Sequence, residues 1–90
     1  MLAKNPLSVK DKTLAVRQAL RLAIQAELDA VSLYEQLSGL SDGIEKEAFL
    51  DIAKEEKTHV GEFQALLLRL DKQQEAELKA GAKEISELEE

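Results

Sequence analysis

Apolar residues recur every three or four positions through most of the chain, a spacing that places them along one face of an α-helix. In the first such run, one apolar stripe begins at Leu20 and ends at Tyr34. The run predicts a helix over about residues 13–37, with Asp11 or Thr13 as the capping residue before it. The period-two alternation typical of strands is missing.

The interior of the chain contains one clear turn signal, the segment Ser-Gly-Leu-Ser-Asp-Gly at residues 38–43. Gly39 is expected to end the first helix in a left-handed conformation, which glycine adopts without steric cost. Ser41 or Asp42 is expected to cap a second helix that ends at about Leu70. A connection this short requires the two helices to run antiparallel.

The rest of the sequence is more polar, and it divides the chain into three parts. Residues 1–12 predict an N-terminal tail, residues 13–71 a helical hairpin, and residues 72–90 a short third helix with a polar end. The third helix is expected to start near Gln73 and to fray or break near Gly81, because glycine weakens a helix interior.

Both long helices are apolar over more than one stripe, whereas two antiparallel helices cover only one stripe on each other. At about 25 cal/mol per Å², leaving a few hundred Å² of apolar surface in water forgoes several kcal/mol. Two-fold dimers are the commonest oligomers. The predicted fold is therefore all-α, a two-helix hairpin with a short C-terminal helix, and two copies dimerise into a four-helix bundle.

Composition narrows the classes of function. The 90 residues are 44% hydrophobic and 33% charged, and the net charge of −6 argues against a nucleic-acid surface. Cysteine is absent, which excludes disulfides and thiolate metal sites. No apolar run approaches the roughly 20 residues of a membrane span, so a cytoplasmic protein without a membrane partner is expected.

Three polar residues interrupt the apolar stripes. Glu27 lies in the middle of the first stripe, and Glu56 and His59 share one face of the second helix at i, i+3 spacing. A buried carboxylate is costly unless it is paired or bound to a metal. One Glu from one helix and Glu-x-x-His from the next make half of a bundle di-iron site. We predict that these three residues are metal ligands and the catalytic group, and that a second copy supplies the other half.

Other interpretations of these residues remain open. His59 could be a surface or a hydrogen-bonded core histidine, and the two glutamates could pair with Lys54, Lys57 or Arg21.

Three neighbouring residues are assigned accessory roles. Tyr34 lies two turns after Glu27 and is either a core aromatic residue or a hydrogen-bond donor to a ligand carboxylate. Glu62 and Asp29 are candidate accessory ligands near the edge of the site.

Four carboxylates and two imidazoles without sulfur suit iron, two ions per dimer, with manganese as the alternative. Zinc prefers four ligands and often sulfur.

Three functions are compatible with the residues alone. They are a ferroxidase, another oxygen-dependent di-metal oxidoreductase such as a hydroxylase, and a non-catalytic helical assembly module in which the polar residues give pairing specificity.

The segments Ala26-Glu-Leu-Asp-Ala-Val-Ser-Leu-Tyr-Glu-Gln and Glu55-Glu-Lys-Thr-His-Val-Gly-Glu-Phe resemble the encapsulated ferritins, which belong to the rubrerythrin-related part of the ferritin-like superfamily. The resemblance implies hairpins that dimerise around a di-iron centre and assemble into a ring, typically a decamer. It implies oxidation of Fe(II) to Fe(III) for iron storage and detoxification, inside an encapsulin shell. Glu27, Glu56 and His59 would be the ferroxidase ligands, with Tyr34 beside them.

The sequence departs from this pattern in two places. Ala26 occupies a position where some encapsulated ferritins have an additional acidic residue for collecting iron, and only Asp29 remains nearby. The usual encapsulin-targeting tail is not visible in the residues up to Glu90. The absence of cysteine argues against the electron-transfer peroxidase role of rubrerythrins that carry a Cys-rich iron module.

Overall fold

The computed structural model describes residues 11–89, which form three α-helices and no strand. The helices are α1 (Lys12–Gly39), α2 (Gly43–Leu70) and α3 (Lys72–Leu88). The prediction of an all-α hairpin followed by a shorter helix is confirmed. The predicted tail at residues 1–10 and the last residue, Glu90, lie outside the described residues.

Side-chain caps set the first helix boundary where the sequence indicated. The carboxylate of Asp11 accepts a hydrogen bond from the backbone amide of Leu14 at 3.1 Å, which satisfies one of the unpaired amides at the start of α1. The helix therefore begins at Lys12, one residue earlier than predicted.

The connection between α1 and α2 uses different residues from those predicted. Gly39 is the last residue of α1, and the glycine with positive φ is Gly43, at 62°. The carbonyl of Leu37 accepts hydrogen bonds from the amide of Leu40 at 3.1 Å and from the hydroxyl of Ser41 at 2.7 Å. Because these groups satisfy the end of α1, no left-handed residue is needed there. Asp42 precedes α2 but forms no side-chain cap.

Small side chains dominate the seam between α1 and α2. The buried apolar residues of the described chain are Ala15, Val31, Ala53 and Leu67. Val31 follows Glu27 by one turn, and Ala53 precedes Glu56 by one turn. The most buried of the four, Ala53, is 3% exposed. A small residue at this point lets the helices approach closely beside the three polar residues, so packing at Ala53 bears on the geometry of the site.

Replacing Ala53 by leucine is expected to lower the free energy of unfolding by about 1–3 kcal/mol, because a well-packed seam cannot take three more carbon atoms without displacing its neighbours. Ala48→Leu is the matched control, since Ala48 lies on the same helix and is exposed. Thermal unfolding at equal protein concentration measures both. Equal melting temperatures for the two variants would contradict the assignment of Ala53 to the seam.

A single non-helical residue, Asp71, separates α2 from α3. Its carboxylate accepts a hydrogen bond from the amide of Gln74 at 3.0 Å and from the guanidinium of Arg21 at 2.5 Å. A second arginine of α1, Arg17, donates to the carbonyl of Leu70 at 2.6 Å. The predicted break near Gly81 is wrong, because α3 continues unbroken through it to Leu88.

Asp71 makes the stability depend on pH. The hydrogen bond from the Gln74 amide, and then Arg17 and Arg21, outweigh desolvation and hold the pKa of this carboxyl below its ordinary value of 3.8. A lowered folded-state pKa means that the charged form favours folding. The contribution of Asp71 to the free energy of unfolding is complete above the pKa that its carboxyl has in the unfolded chain. This contribution is lost as the pH falls through the lower pKa of the folded protein. Asp71→Asn should therefore lower the melting temperature at neutral pH, and the difference from wild type should shrink below about pH 4. A difference that is constant from pH 7 to 3 would contradict this.

The chain is too extended to bury its apolar side chains. Its radius of gyration is 16.8 Å, compared with about 12 Å for a compact domain of this length. No residue of α3 is buried, and no large side chain of the described range is fully enclosed. None of the described helices combines the length and the apolar character that a membrane crossing requires. Apolar surface on this scale is typical of a chain that associates with another.

Candidate metal centre

The antiparallel hairpin brings together the three polar residues that interrupt the apolar stripes. Glu27 projects from the middle of α1, and Glu56 and His59 project from the middle of α2, one turn apart. One ligand atom from each of these three residues lies within 4.8 Å of the other two. The Nδ1 atom of His59 is 3.4 Å from Oε2 of Glu27 and 3.7 Å from Oε2 of Glu56. We refer to these three residues as the Glu–Glu–His cluster.

The two carboxylates are largely enclosed, whereas the imidazole opens toward solvent. The side chains of Glu27 and Glu56 are each 20% exposed, and that of His59 is 45% exposed. The Oε2 atom of Glu27 is buried and receives no hydrogen bond from the described residues. A buried carboxylate oxygen without a donor is unfavourable unless another positive group satisfies it. The cluster therefore presents an unsatisfied acceptor beside a second carboxylate.

The protonation equilibria show the same concentration of negative charge. The pKa of Glu56 is raised, first by the adjacent Glu27 carboxyl, with which it would share a proton, and then by desolvation. Desolvation lowers the pKa of His59, but Glu27 and then Glu56 and Glu62 outweigh it, so that the net shift is upward. Both shifts indicate a local field that attracts a proton or another cation.

Two of the three basic residues that could have paired with the two glutamates have other partners, and Lys54 forms no ion pair within the described part of the chain. Lys57 pairs with Glu35 at 3.2 Å, and Arg21 pairs with Asp71. Among the described residues, His59 is the basic group within ion-pair distance of Glu27 and Glu56. The interpretation that these glutamates pair with a lysine or an arginine therefore has no support in the fold.

The accessory residues occupy different positions. The ring of Tyr34 stacks on Phe49 with centroids 6.4 Å apart, which places a Tyr–Phe pair across the hairpin on the turn side of the cluster. No described residue hydrogen-bonds to its hydroxyl. Glu62 and Asp29 are exposed, and neither is part of the 4.8 Å group. Their roles, and the role of Tyr34 beside a ligand, remain predictions.

The donor set fits a hard or borderline divalent cation. It offers carboxylate oxygens and an imidazole nitrogen, a combination that suits iron or manganese. One chain supplies three ligand residues, fewer than the coordination that such ions require, and the cluster is open on the side of His59. A cation held there would satisfy the buried Oε2 of Glu27 and relieve the repulsion between the two carboxylates. The structure brings together the three residues that the sequence predicted, and their role as metal ligands stays a prediction.

A helical hairpin that carries a carboxylate–histidine cluster on its inner face is the half-unit of a ferritin-like bundle. The sequence matches the Rubrerythrin family over residues 18–90, and the chain therefore belongs to that family. Proteins of this family generally bind iron.

Two relatives and one solved structure extend this result. The chain is 50% identical over 93 aligned positions to a ferritin-like–encapsulin shell fusion protein of Pyrococcus furiosus, covering 98% of this chain and 27% of the relative. It is 37% identical over 75 positions to an encapsulin nanocompartment cargo protein of Myxococcus xanthus, covering 82% of this chain and 56% of the relative. The chain thus spans about a quarter of the first relative and just over half of the second.

The crystal structure of the encapsulated ferritin domain from Pyrococcus furiosus superimposes with a TM-score of 0.83 at 46% identity. The match covers 98% of this chain and 95% of the other. The predicted resemblance to encapsulated ferritins is confirmed, and with it the ferritin-like fold of the hairpin.

Proposed function

We propose that the protein is a ferroxidase that binds two Fe(II) ions between two copies of the chain and oxidises them to Fe(III). The observation that carries this proposal is the buried Oε2 of Glu27, which accepts no hydrogen bond from the described residues and lies within a 4.8 Å group with ligand atoms of Glu56 and His59. Membership of an iron-binding family supports iron rather than manganese as the metal.

The second copy follows from the ligand count. A two-fold axis beside the cluster turns one Glu–Glu–His cluster into four carboxylates and two imidazoles, the ligand set of bundle di-iron sites. The open side of the cluster is the side from which His59 projects. Leu66 lies two turns after His59 on the same face and is 47% exposed. With Val16, Leu20, Arg69 and Leu70 it lines an open groove of about 310 Å³. Apolar surface and missing ligands thus occur on one side of the hairpin, where a second copy would supply both.

The chemistry requires the chain to hold two substrate ions at once and to accept the rise in their charge. Two Fe(II) ions give two electrons to one dioxygen molecule, which takes up two protons and leaves as hydrogen peroxide, with two Fe(III) ions as product. Glu56, the more interior carboxylate of α2, is suited to bridge the two ions. Each ion would also take one Glu27 carboxylate and one His59 nitrogen. Four carboxylates neutralise the additional positive charge of the ferric state.

The direct test is Fe(II) oxidation in air, followed by ferric absorbance and by oxygen uptake. The protein should oxidise Fe(II) much faster than buffer does, and it should consume one dioxygen for every two ions in the first turnover. Manganese(II) in place of Fe(II) is the control for binding without oxidation. A rate equal to that of buffer at saturating protein would contradict the proposal.

The names of the relatives also suggest a partner. One is a fusion with an encapsulin shell and the other is an encapsulin cargo protein. We propose that the dimers assemble into a ring, as a decamer, and act within an encapsulin nanocompartment in the cytoplasm, where the shell stores the ferric product. Co-expression with an encapsulin shell protein tests this association. Recovery of intact shells without this chain, at expression levels where both proteins are soluble, would contradict it.

A further inference from the structure

The break between α2 and α3 is not imposed by proline or glycine. The segment Leu66-Leu-Leu-Arg-Leu-Asp-Lys-Gln-Gln74 contains neither proline nor glycine, and most of its residues are strong helix formers. Sharp interruptions of a helix are usually found at proline or glycine. Residues 43–88 could therefore form one continuous helix if Asp71 took helical backbone angles, yet its φ and ψ are −134° and 89°.

The bend removes three hydrogen bonds that a continuous helix would make. The amides of residues 72–74 do not reach the carbonyls of residues 68–70, and all of these residues lie in the described range. The bend thus releases three amides and three carbonyls, and two of these six groups form other hydrogen bonds. The Gln74 amide donates to the Asp71 carboxylate at 3.0 Å, and the Leu70 carbonyl accepts from Arg17 at 2.6 Å. The first of these interactions requires Asp71 to lie outside the helix as the cap of α3.

The new partners come from α1 and from the hinge residue itself. Arg21 holds the Asp71 carboxylate at 2.5 Å, and Asp71 is only 9% exposed although it is charged. The α3 helix has no buried residue of its own. The direction of α3 is thus set by polar contacts at its N-cap residue, Asp71, rather than by a packed apolar face.

We propose that Arg17, Arg21 and Asp71 form a latch that holds the chain in a bent state, and that releasing it lets α2 and α3 join into one straight helix. The two states differ in what they present to a partner. In the bent state, Gln74 and Leu78 of α3 complete an open groove of about 270 Å³ against Arg21, Ile24, Gln25, Gln64 and Leu67. In the straight state these two side chains move away, and the groove loses one wall.

The latch can be tested by a distance measurement across the hinge. The chain has no cysteine, so Lys46→Cys and Lys83→Cys provide two unique sites for spin labels on the exposed faces of α2 and α3. A straight helix would place their backbones about 55 Å apart at 1.5 Å per residue, and a bend at Asp71 shortens this distance. Labelled chains are diluted with unlabelled chains so that only distances within one chain are observed.

Asp71→Ala removes both the cap and the partner of Arg21, and it should shift the distance toward 55 Å with a small gain in helix content. Arg17→Gln with Arg21→Gln, which leaves the hinge residue in place, should shift part of the population to the same distance. Asp51→Ala, an exposed acid on α2, is the matched control and should leave the distance unchanged. A wild-type distance in both folded latch variants would overturn the proposal. So would a broad distribution without a component near 55 Å, since the hinge would then be loosened but not two-state.

Discussion

Replacing Glu56 by glutamine is expected to abolish rapid Fe(II) oxidation, with a fall in initial rate of about 100-fold or more. Removal of residues that only support a metal ligand already costs 10- to 100-fold in affinity or activity, and Glu56 is proposed as the ligand shared by both ions. Glutamine keeps the size of the side chain but loses the charge. In the proposed dimer, the substitution removes two of the four carboxylates.

The same variant should remain folded, which separates loss of chemistry from loss of structure. Without metal, Glu56 and Glu27 repel each other, and the raised pKa of Glu56 reflects this proximity. In the absence of metal, the melting temperature of the Glu56→Gln variant should therefore equal or exceed that of wild type. Glu55→Gln is the matched control, since Glu55 is the adjacent, exposed glutamate and should keep the wild-type rate. Equal loss of rate in both variants would indicate a general electrostatic effect and would count against the ligand role.

Leu66→Lys is expected to abolish iron oxidation although it changes no ligand. Leu66 is 47% exposed on the same face of α2 as His59, where the second copy is proposed to pack. A lysine there would be buried in the proposed apolar contact with the second copy, and the cost of desolvating its charge opposes that contact. The variant should sediment as a monomer, and its iron oxidation should fall to the rate of buffer.

Leu50→Lys provides a control with nearly the same exposure. Leu50 is 46% exposed, and it lies nine residues, or two and a half turns, before His59, so it projects from the opposite face of α2. This variant should keep both its oligomeric state and its rate. A monomeric Leu66→Lys protein that oxidises Fe(II) at the wild-type rate would show that one chain is sufficient for the reaction.

The Glu–Glu–His cluster could be located from the sequence because its members obey a single rule. Each takes a position where the helical period requires an apolar residue, and helix geometry determines which residues share a face. The hairpin followed in the same way from two long periodic runs and one turn. The sequence does not show the surroundings of the cluster, namely the pairing of Lys57 with Glu35 and the Glu27 oxygen that accepts no hydrogen bond from the described residues.

The boundary between α2 and α3 was predicted, since the second helix was expected to end at about Leu70 and the third to start near Gln73. The contacts that hold this boundary were missed, namely those of Asp71 and Leu70 with two arginines of α1. The additional break expected near Gly81, where glycine disfavours the helix, is absent. One signal was present. Asp71 followed three residues later by Gln74 is the spacing of a capping box and marks a helix start. The contribution of Arg17 and Arg21 could not be read from the sequence, because it depends on contacts about 50 residues apart in the chain.

Gly39 illustrates a smaller failure of the same kind. A glycine after an apolar run predicts a left-handed end, but the Ser41 hydroxyl and the Leu40 amide satisfy the Leu37 carbonyl, and the positive φ occurs at Gly43 instead. Different residues of a short loop can supply the positive φ and the hydrogen bonds at the helix end without altering the hairpin. The prediction of antiparallel helices was therefore insensitive to which glycine turned the chain.

The central claim is that the metal site exists only between two chains, and an anaerobic Fe(II) titration followed by sedimentation velocity tests it most directly. We predict that bound iron appears only in species of two or more chains, that it saturates at one ion per chain, and that dilution into the monomer range releases it. A monomer that retains iron, or an assembled protein that binds none, would contradict the account.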